Sequence, residues 1–335
     1  MLDRLRAWLR GSGDGIAPVA IDRQRVEEAC GVAEGFVRAN WEDLGAYVQG
    51  TFEAADQPGA WSAVSRRWLE LAADHLGAPY RVEEGKRTVF LTAWERPGGM
   101  VKLGDEICAD WDRMIKGIAR PAWKGKAPIV MIDDQETYHD YIAPYYPEEG
   151  VFARSVGVFL NEEMPHVALF SCAATGTMST LAHELTHGCL ARLKLPRWID
   201  EGFAQVAEGA AGARFNPELR EVERFRRYWQ KHGFEEFWEG ESFSRPKSGE
   251  ASYFLAQVLV RNLLAGYRKQ IPALLQAVRR DDGGAAGVRE VLGLELEDLV
   301  KGIAVEKQQV EDEWSGGREE WSDDEEDEDE EWRGR

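Results

Sequence analysis

Between residues 180 and 209 the chain reads TLAHELTHGCLARLKLPRWIDEGFAQVAEG. It holds His183, Glu184 and His187 in an H-E-x-x-H arrangement and, after a gap of thirteen residues, Glu201 within I-D-E-G-F-A. Residues four apart share one face of a helix, so the two imidazoles can offer nitrogens to a single cation. Glu184 lies about 100° round the helix from His183. It is beside such an ion without having to bind it, where hydrolysis needs a general base. Two His, one Glu and an open position make a catalytic zinc set, whereas a structural site is closed by four protein ligands. The expectation is a zinc peptidase site with His183, His187 and Glu201 as metal ligands and Glu184 as base.

A helix pair must place these groups. Residues 178–194 read as a helix with Leu181, Leu185 and Cys189 opposite the histidines. Leu195 and Pro196 mark a tight reversal, with Pro at a permitted first-turn position of the next helix. From His187 to Lys194 the first helix climbs about 10 Å, and from Arg197 to Glu201 the second returns about 6 Å. A tilted crossing and the Glu side chain close the remainder. Asp200 points about 100° away from Glu201 and reads as a first-turn dipole partner. Gln205 and Glu208 fall one and two turns after Glu201 on the same face, placed to orient a ligand histidine. Cys189 reads as a buried thiol and not a nucleophile. Strands at 155–160 and 166–170 precede the first helix, so a sheet edge is expected beside the site. His166, opening the second strand, is a weaker candidate for lining the cleft.

HELTH followed by W-I-D-E-G-F-A-Q resembles the gluzincin clan of zinc metallopeptidases. The aminopeptidase-N family has a similar W-L-N-E-G-F-A after a longer gap. The short gap, with YFLAQVLVRNLL and VREVLGLELEDL further on, is more similar to the smaller bacterial peptidase-MA-like proteins. The resemblance spans about residues 85–310 and is densest at 183–209. It implies Zn2+ on His183, His187 and Glu201, with Glu184 taking a proton from the attacking water and passing it to the leaving amine. Gluzincins often take their oxyanion donor from a later helix, and Tyr253 is the candidate here, with packing in an apolar helix as its other reading. Thermolysin-like members carry Asp where Gln205 stands. The three-His metzincin pattern fails, since Leu190 and Leu193 occupy the places of its Gly and third His. The G-x-M-E-N exopeptidase signature is absent, which leaves endopeptidase and exopeptidase action both open.

The rest of the chain reads as an α+β, mostly helical protein: a gluzincin-like core with a small mixed sheet packed on the active-site helix. Residues 1–82 are expected as a helical N-terminal module, 83–310 as the metallopeptidase domain and 311–335 as a disordered acidic tail. In the module, Val26, Ala29, Cys30, Ala33, Phe36 and Val37 recur at helical spacing across 22–55, and a second helix covers about 60–76. Strands are expected at 88–94 and 129–132, and helices at 103–118 and 137–146. Past the site, helices are expected at 217–232, 251–267, 271–279 and 287–305, with a loop at 235–246.

Composition limits the alternatives. Of a net charge of −19 over 335 residues, residues 311–335 carry −11, from fourteen acidic and three basic side chains. An acidic balance argues against nucleic acid as partner, because phosphate binding needs clustered Lys and Arg. Such an acidic run repels itself, so solvation is its default role. Cys30, Cys108, Cys172 and Cys189 are scattered with no C-x-x-C pair, which fits reduced thiols in the cytoplasm. No stretch approaches the roughly 20 apolar residues of a membrane span. Leu2, Leu5, Trp8 and Leu9 offer only a short apolar stripe. The expected partner is a peptide or protein substrate. The alternative is a non-catalytic zinc scaffold that binds a partner through its helical module and acidic tail.

Overall fold

The computed structural model describes residues 15–146, 155–171, 174–212, 219–245 and 248–304. The Leu2–Leu9 stripe and the acidic tail lie outside them. Asp22 caps α1 (Arg23–Glu28) by accepting a hydrogen bond from the Arg25 amide. The continuous helix expected over 22–55 is then corrected: β1 (Cys30–Ala33) and β2 (Phe36–Ala39) form an antiparallel hairpin closed at Ala33 and Phe36. Glu34 (φ 54°) and Gly35 (φ 80°) both take left-handed backbone, as a two-residue type I′ turn requires. Asn40 caps α2 (Trp41–Thr51), and α3 (Gln57–Leu76) follows. The N-terminal segment is thus helical with a hairpin inserted, not helical throughout.

A five-stranded sheet lies at the centre, built from β3 (Arg81–Glu84), β4 (Thr88–Thr92), β5 (Ala127–Ile132), β6 (Gly157–Leu160) and β7 (His166–Phe170). Its order is β3-β4-β5-β7-β6; the inner three strands run parallel and the two edges antiparallel. Every residue of β4 and β5 is buried, the pattern of strands covered on both faces. Side chains alternate between those faces. Val89, Leu91, Val130, Ile132 and Ala168 join a cluster with Phe36, Val37, Trp68 and Leu69 of the N-terminal segment and Tyr138, Tyr141 and Ile142 of α5 (Gln135–Ile142). Phe90, Ile129, Met131, Val167 and Leu169 join the larger cluster on the opposite face.

That opposite face holds α4 (Gly98–Met114), α6 (Ala174–Leu190) and α7 (Arg197–Ala211). The chain continues through α8 (Leu219–His232), α9 (Glu235–Glu239), α10 (Gly249–Gly266), α11 (Ile271–Ala277), α12 (Ala285–Leu292) and α13 (Leu296–Ala304). The loop expected at 235–246 contains α9 and a 3-10 turn at Glu241–Ser244, and the helix expected at 287–305 is two, broken at Gly293 with φ 69°. The protein is α+β and mostly helical with a small mixed sheet. No described helix is long and apolar enough to cross a membrane.

Candidate metal centre

α6 and α7 form a helix hairpin around the expected site. α6 ends in a 3-10 turn at Ala191–Leu193, and Lys194 reverses the chain with φ 52°. Pro196 is the N-cap of α7, one position earlier than the first helical turn. Later elements lock the reversal: Arg280 Nε donates to the Leu195 carbonyl (3.1 Å), and the buried Trp198 Nε1 donates to the Gly283 carbonyl (2.8 Å). Leu181, Leu185 and Cys189 are fully buried on the far side of α6, so its other face turns the histidines toward α7. Burial and the neighbouring Cys108 push the Cys189 thiol well above its ordinary range, which suits an inert core residue.

The two imidazoles stand 4.8 Å apart between ring centres. Their Nε2 atoms approach the same oxygen, Glu201 Oε2, at 3.6 Å from His183 and 3.5 Å from His187. One ligand atom from each of the three residues lies within 4.8 Å of the others. No other group of His, Cys, Asp and Glu among the described residues meets that condition. The two far nitrogens are held by carboxylates: His183 Nδ1 by Glu208 Oε2 (3.2 Å) and His187 Nδ1 by Asp200 Oδ2 (3.1 Å). A carboxylate accepts hydrogen bonds, so each neutral ring carries its proton on Nδ1 and turns an Nε2 lone pair inward.

With both rings neutral, two lone pairs and an anionic oxygen face one another. Glu201 Oε2 is buried and has no hydrogen-bond partner. Such an arrangement is costly unless positive charge, from protons on the rings or from a metal ion, sits within it. The field around the rings agrees. Burial opposes a positive charge on His183, yet Glu201 and Glu208 outweigh it and push the ring up to about 9. Burial likewise opposes a charge on His187, and Asp200 and Glu201 hold it well above the usual histidine range. Burial would raise Glu201, and the two histidines instead hold it well below the ordinary carboxylate range. The donor set, two imidazoles and one carboxylate with carboxylates behind, fits a divalent metal ion.

The remaining expected residues divide. Asp200 is not merely a first-turn dipole partner, since it also holds His187. Glu208 does what its position suggested, and Gln205 Nε2 donates to Glu208 Oε2 (3.1 Å). The Gln205 carbonyl in turn accepts from Gln257 Nε2 of α10 (2.9 Å). Tyr253, on α10, is half-buried beside Phe243 and within the electrostatic reach of Glu201, Arg197 and His187. His166 does not line the site. It is buried on the other face of the sheet, where Nε2 accepts from the Tyr141 hydroxyl (2.7 Å).

Two residues escaped the sequence reading. Arg197, one turn before Glu201, places Nε 3.6 Å from Glu201 Oε1 and is anchored on the Ser244 hydroxyl (2.7 Å) and over the Phe243 ring. An Arg at i and a Glu at i+4 on a motif-bearing helix is the signal that could have found it. Gly157 opens the edge strand β6 where it crosses α6; a Cβ there would fall 2.3 Å from Thr180 Cγ2 and 3.3 Å from Glu184 Cγ. The catalytic candidate Glu184 thus lies against the sheet edge, with no strand on the outer side of β6 among the described residues. No protein-family model matches the chain, and a search of curated proteins finds no significant match.

Proposed function

We propose that this protein is a zinc-dependent peptidase, with the ion held by His183 Nε2, His187 Nε2 and Glu201 Oε2. The observation that carries the reading is the convergence of both Nε2 atoms on the unpartnered Glu201 Oε2, with both Nδ1 atoms held by carboxylates. Zinc suits imidazole and carboxylate donors, and three protein ligands leave a position for catalysis. When bound, the ion would supply Lewis acidity toward the scissile carbonyl and the attacking water. Glu184 takes the proton of that water and delivers it to the leaving amine. Burial and the charge of Glu201 raise the Tyr253 phenol, so it stays protonated and serves as a hydrogen-bond donor to the oxyanion. An extended substrate can add to the outer edge of β6, where main-chain groups run past Glu184. That favours a peptide.

The test is metal analysis of the purified protein beside Glu184→Gln, both assayed on a mixed peptide library. The expected result is about one zinc per chain in each. Cleavage should fall by about 10²- to 10⁴-fold in the variant. Zinc retained with no cleavage by either form would favour a non-catalytic metal scaffold, and absence of metal under chelator-free conditions would end both readings.

A further inference from the structure

In a chain of net charge −19, α8 is a concentrated exception. Residues 219–232 hold five Arg and Lys against two Glu. The apolar side of the helix packs inward: Trp229 is buried, and the partly buried Phe225 and Tyr228 pack against the large core cluster. The outward side is basic. Arg220, Arg224, Arg227 and Lys231 are all exposed, and His232 is the only other exposed residue among those of the helix whose burial is described. At 3.6 residues per turn, positions 220, 224, 227 and 231 fall within an arc of about 60° and span about 16 Å of axis. Its basic side chains outnumber the acids of the same helix. Glu221 and Glu223 are half-buried on the flank, and Glu250 of α10 meets Arg224 at 2.8 Å, where both side chains are well exposed. An exposed pair of that kind contributes little and is readily exchanged.

α13 packs against α8 and ends at Ala304, and residues 305–335 follow it in the chain. They include nine consecutive acidic residues, 323–331. Eighteen residues separate Ala304 from that run. Eighteen residues with random-coil statistics would have a typical reach of about 25 Å, which would cover the helix and keep the effective concentration near the millimolar range. We propose that the acidic segment 323–331 docks on the basic stripe of α8 in the same chain. About five extended residues match the length of the stripe, and multiple like contacts are what a flexible polyanion needs to stay bound. The docked segment occupies this cationic surface and screens it from other polyanions. The contact is independent of the metal centre.

Zero-length carbodiimide coupling of the full-length protein at low salt, followed by peptide mapping of the monomer, reads the contact directly, because Lys231 can be joined only to a carboxylate touching it. The expected product links Lys231 to residues 323–331. Its yield should exceed that of Lys102, an exposed lysine on α4, by at least threefold, and fall at least threefold in 0.5 M NaCl. The exposed triple variant Arg220→Glu, Arg224→Glu, Arg227→Glu retains Lys231 and should lose most of the link, with its thermal melt confirming that it folds. Tail links spread evenly over the lysines, or Lys231 joined only to carboxylates of the folded body, would overturn the proposal. So would links found only between chains in a mixture of isotope-labelled and unlabelled protein.

Discussion

At the scale of single residues, the candidate centre depends on groups that would not themselves reach a bound ion. Asp200 and Glu208 fix the proton of each ring on Nδ1 and add negative charge behind it. Asp200→Asn and Glu208→Gln should each weaken metal affinity by about tenfold while leaving the fold intact. Competition with a chromophoric chelator measures this without any assay of cleavage; unchanged affinity in both would remove them from the site. The clustering of the two histidines was legible in sequence because an i, i+4 spacing fixes two imidazoles on one face, whatever surrounds them. The contact of Asp200 with His187 was missed because its angle was counted on an isolated helix. In an antiparallel helix hairpin, a step back on one helix is met by a step forward on the other. His187 therefore meets Asp200 near the turn, and His183, one turn earlier, meets Glu208 two turns further on. Both carboxylates were present in the sequence, but only the packing of α6 on α7 gave them meaning.

At the scale of elements, α7 is set by how closely it approaches α10. A Cβ at Gly202 would lie 2.6 Å from the Ala256 carbonyl oxygen and 2.5 Å from Val260 Cγ2. Backbone cannot yield as a flexible side chain can, so Gly202→Val must push the helices apart. We expect a loss of about 1–3 kcal/mol in denaturant unfolding. Weaker metal binding should accompany it, because α7 carries Asp200, Glu201, Gln205 and Glu208. Gly50→Ala provides the contrast: nothing lies within 4 Å of its added Cβ, and a helical Gly replaced by Ala should gain about 0.5–1 kcal/mol. If both variants unfold alike, close packing is not what Gly202 serves. Element type was legible where burial imposed a long period, as in α3, α6 and α10. It failed at residues 30–39, where apolar residues three and four apart mimic a helix and the left-handed turn at Glu34 and Gly35 outweighs them. β3 was missed for a different reason: an edge strand reading Arg-Val-Glu-Glu has no apolar pattern to reveal it.

Across the whole molecule, the sheet divides two cores, and the one away from the metal centre joins the N-terminal segment to the central strands. His166 sits in that junction, edge-on to Trp68 of α3 and bonded to Tyr141 of α5 and the Met164 carbonyl. Burial lowers its pKa from 6.5 to about 4; the Met164 carbonyl opposes the shift and Arg38 reinforces it. The folded ring is therefore neutral over a range in which the unfolded chain takes up a proton. Stability must fall as pH drops from 6.5 toward about 4 and level off below, by up to about 3 kcal/mol. The wild-type curve does not isolate this effect. Asp110, pushed up to about 7 by burial despite Arg113, changes in the opposite sense, losing stability as pH rises from the ordinary Asp range. Comparison with His166→Gln removes it, because Asp110 is present in both proteins. The stability lead of the wild type over the variant, from urea unfolding at a series of pH values, should shrink steadily between pH 7 and 4.5. A lead that stays constant across that range would mean that the ring already shares its proton with the folded core, and that the junction is not held by a neutral histidine.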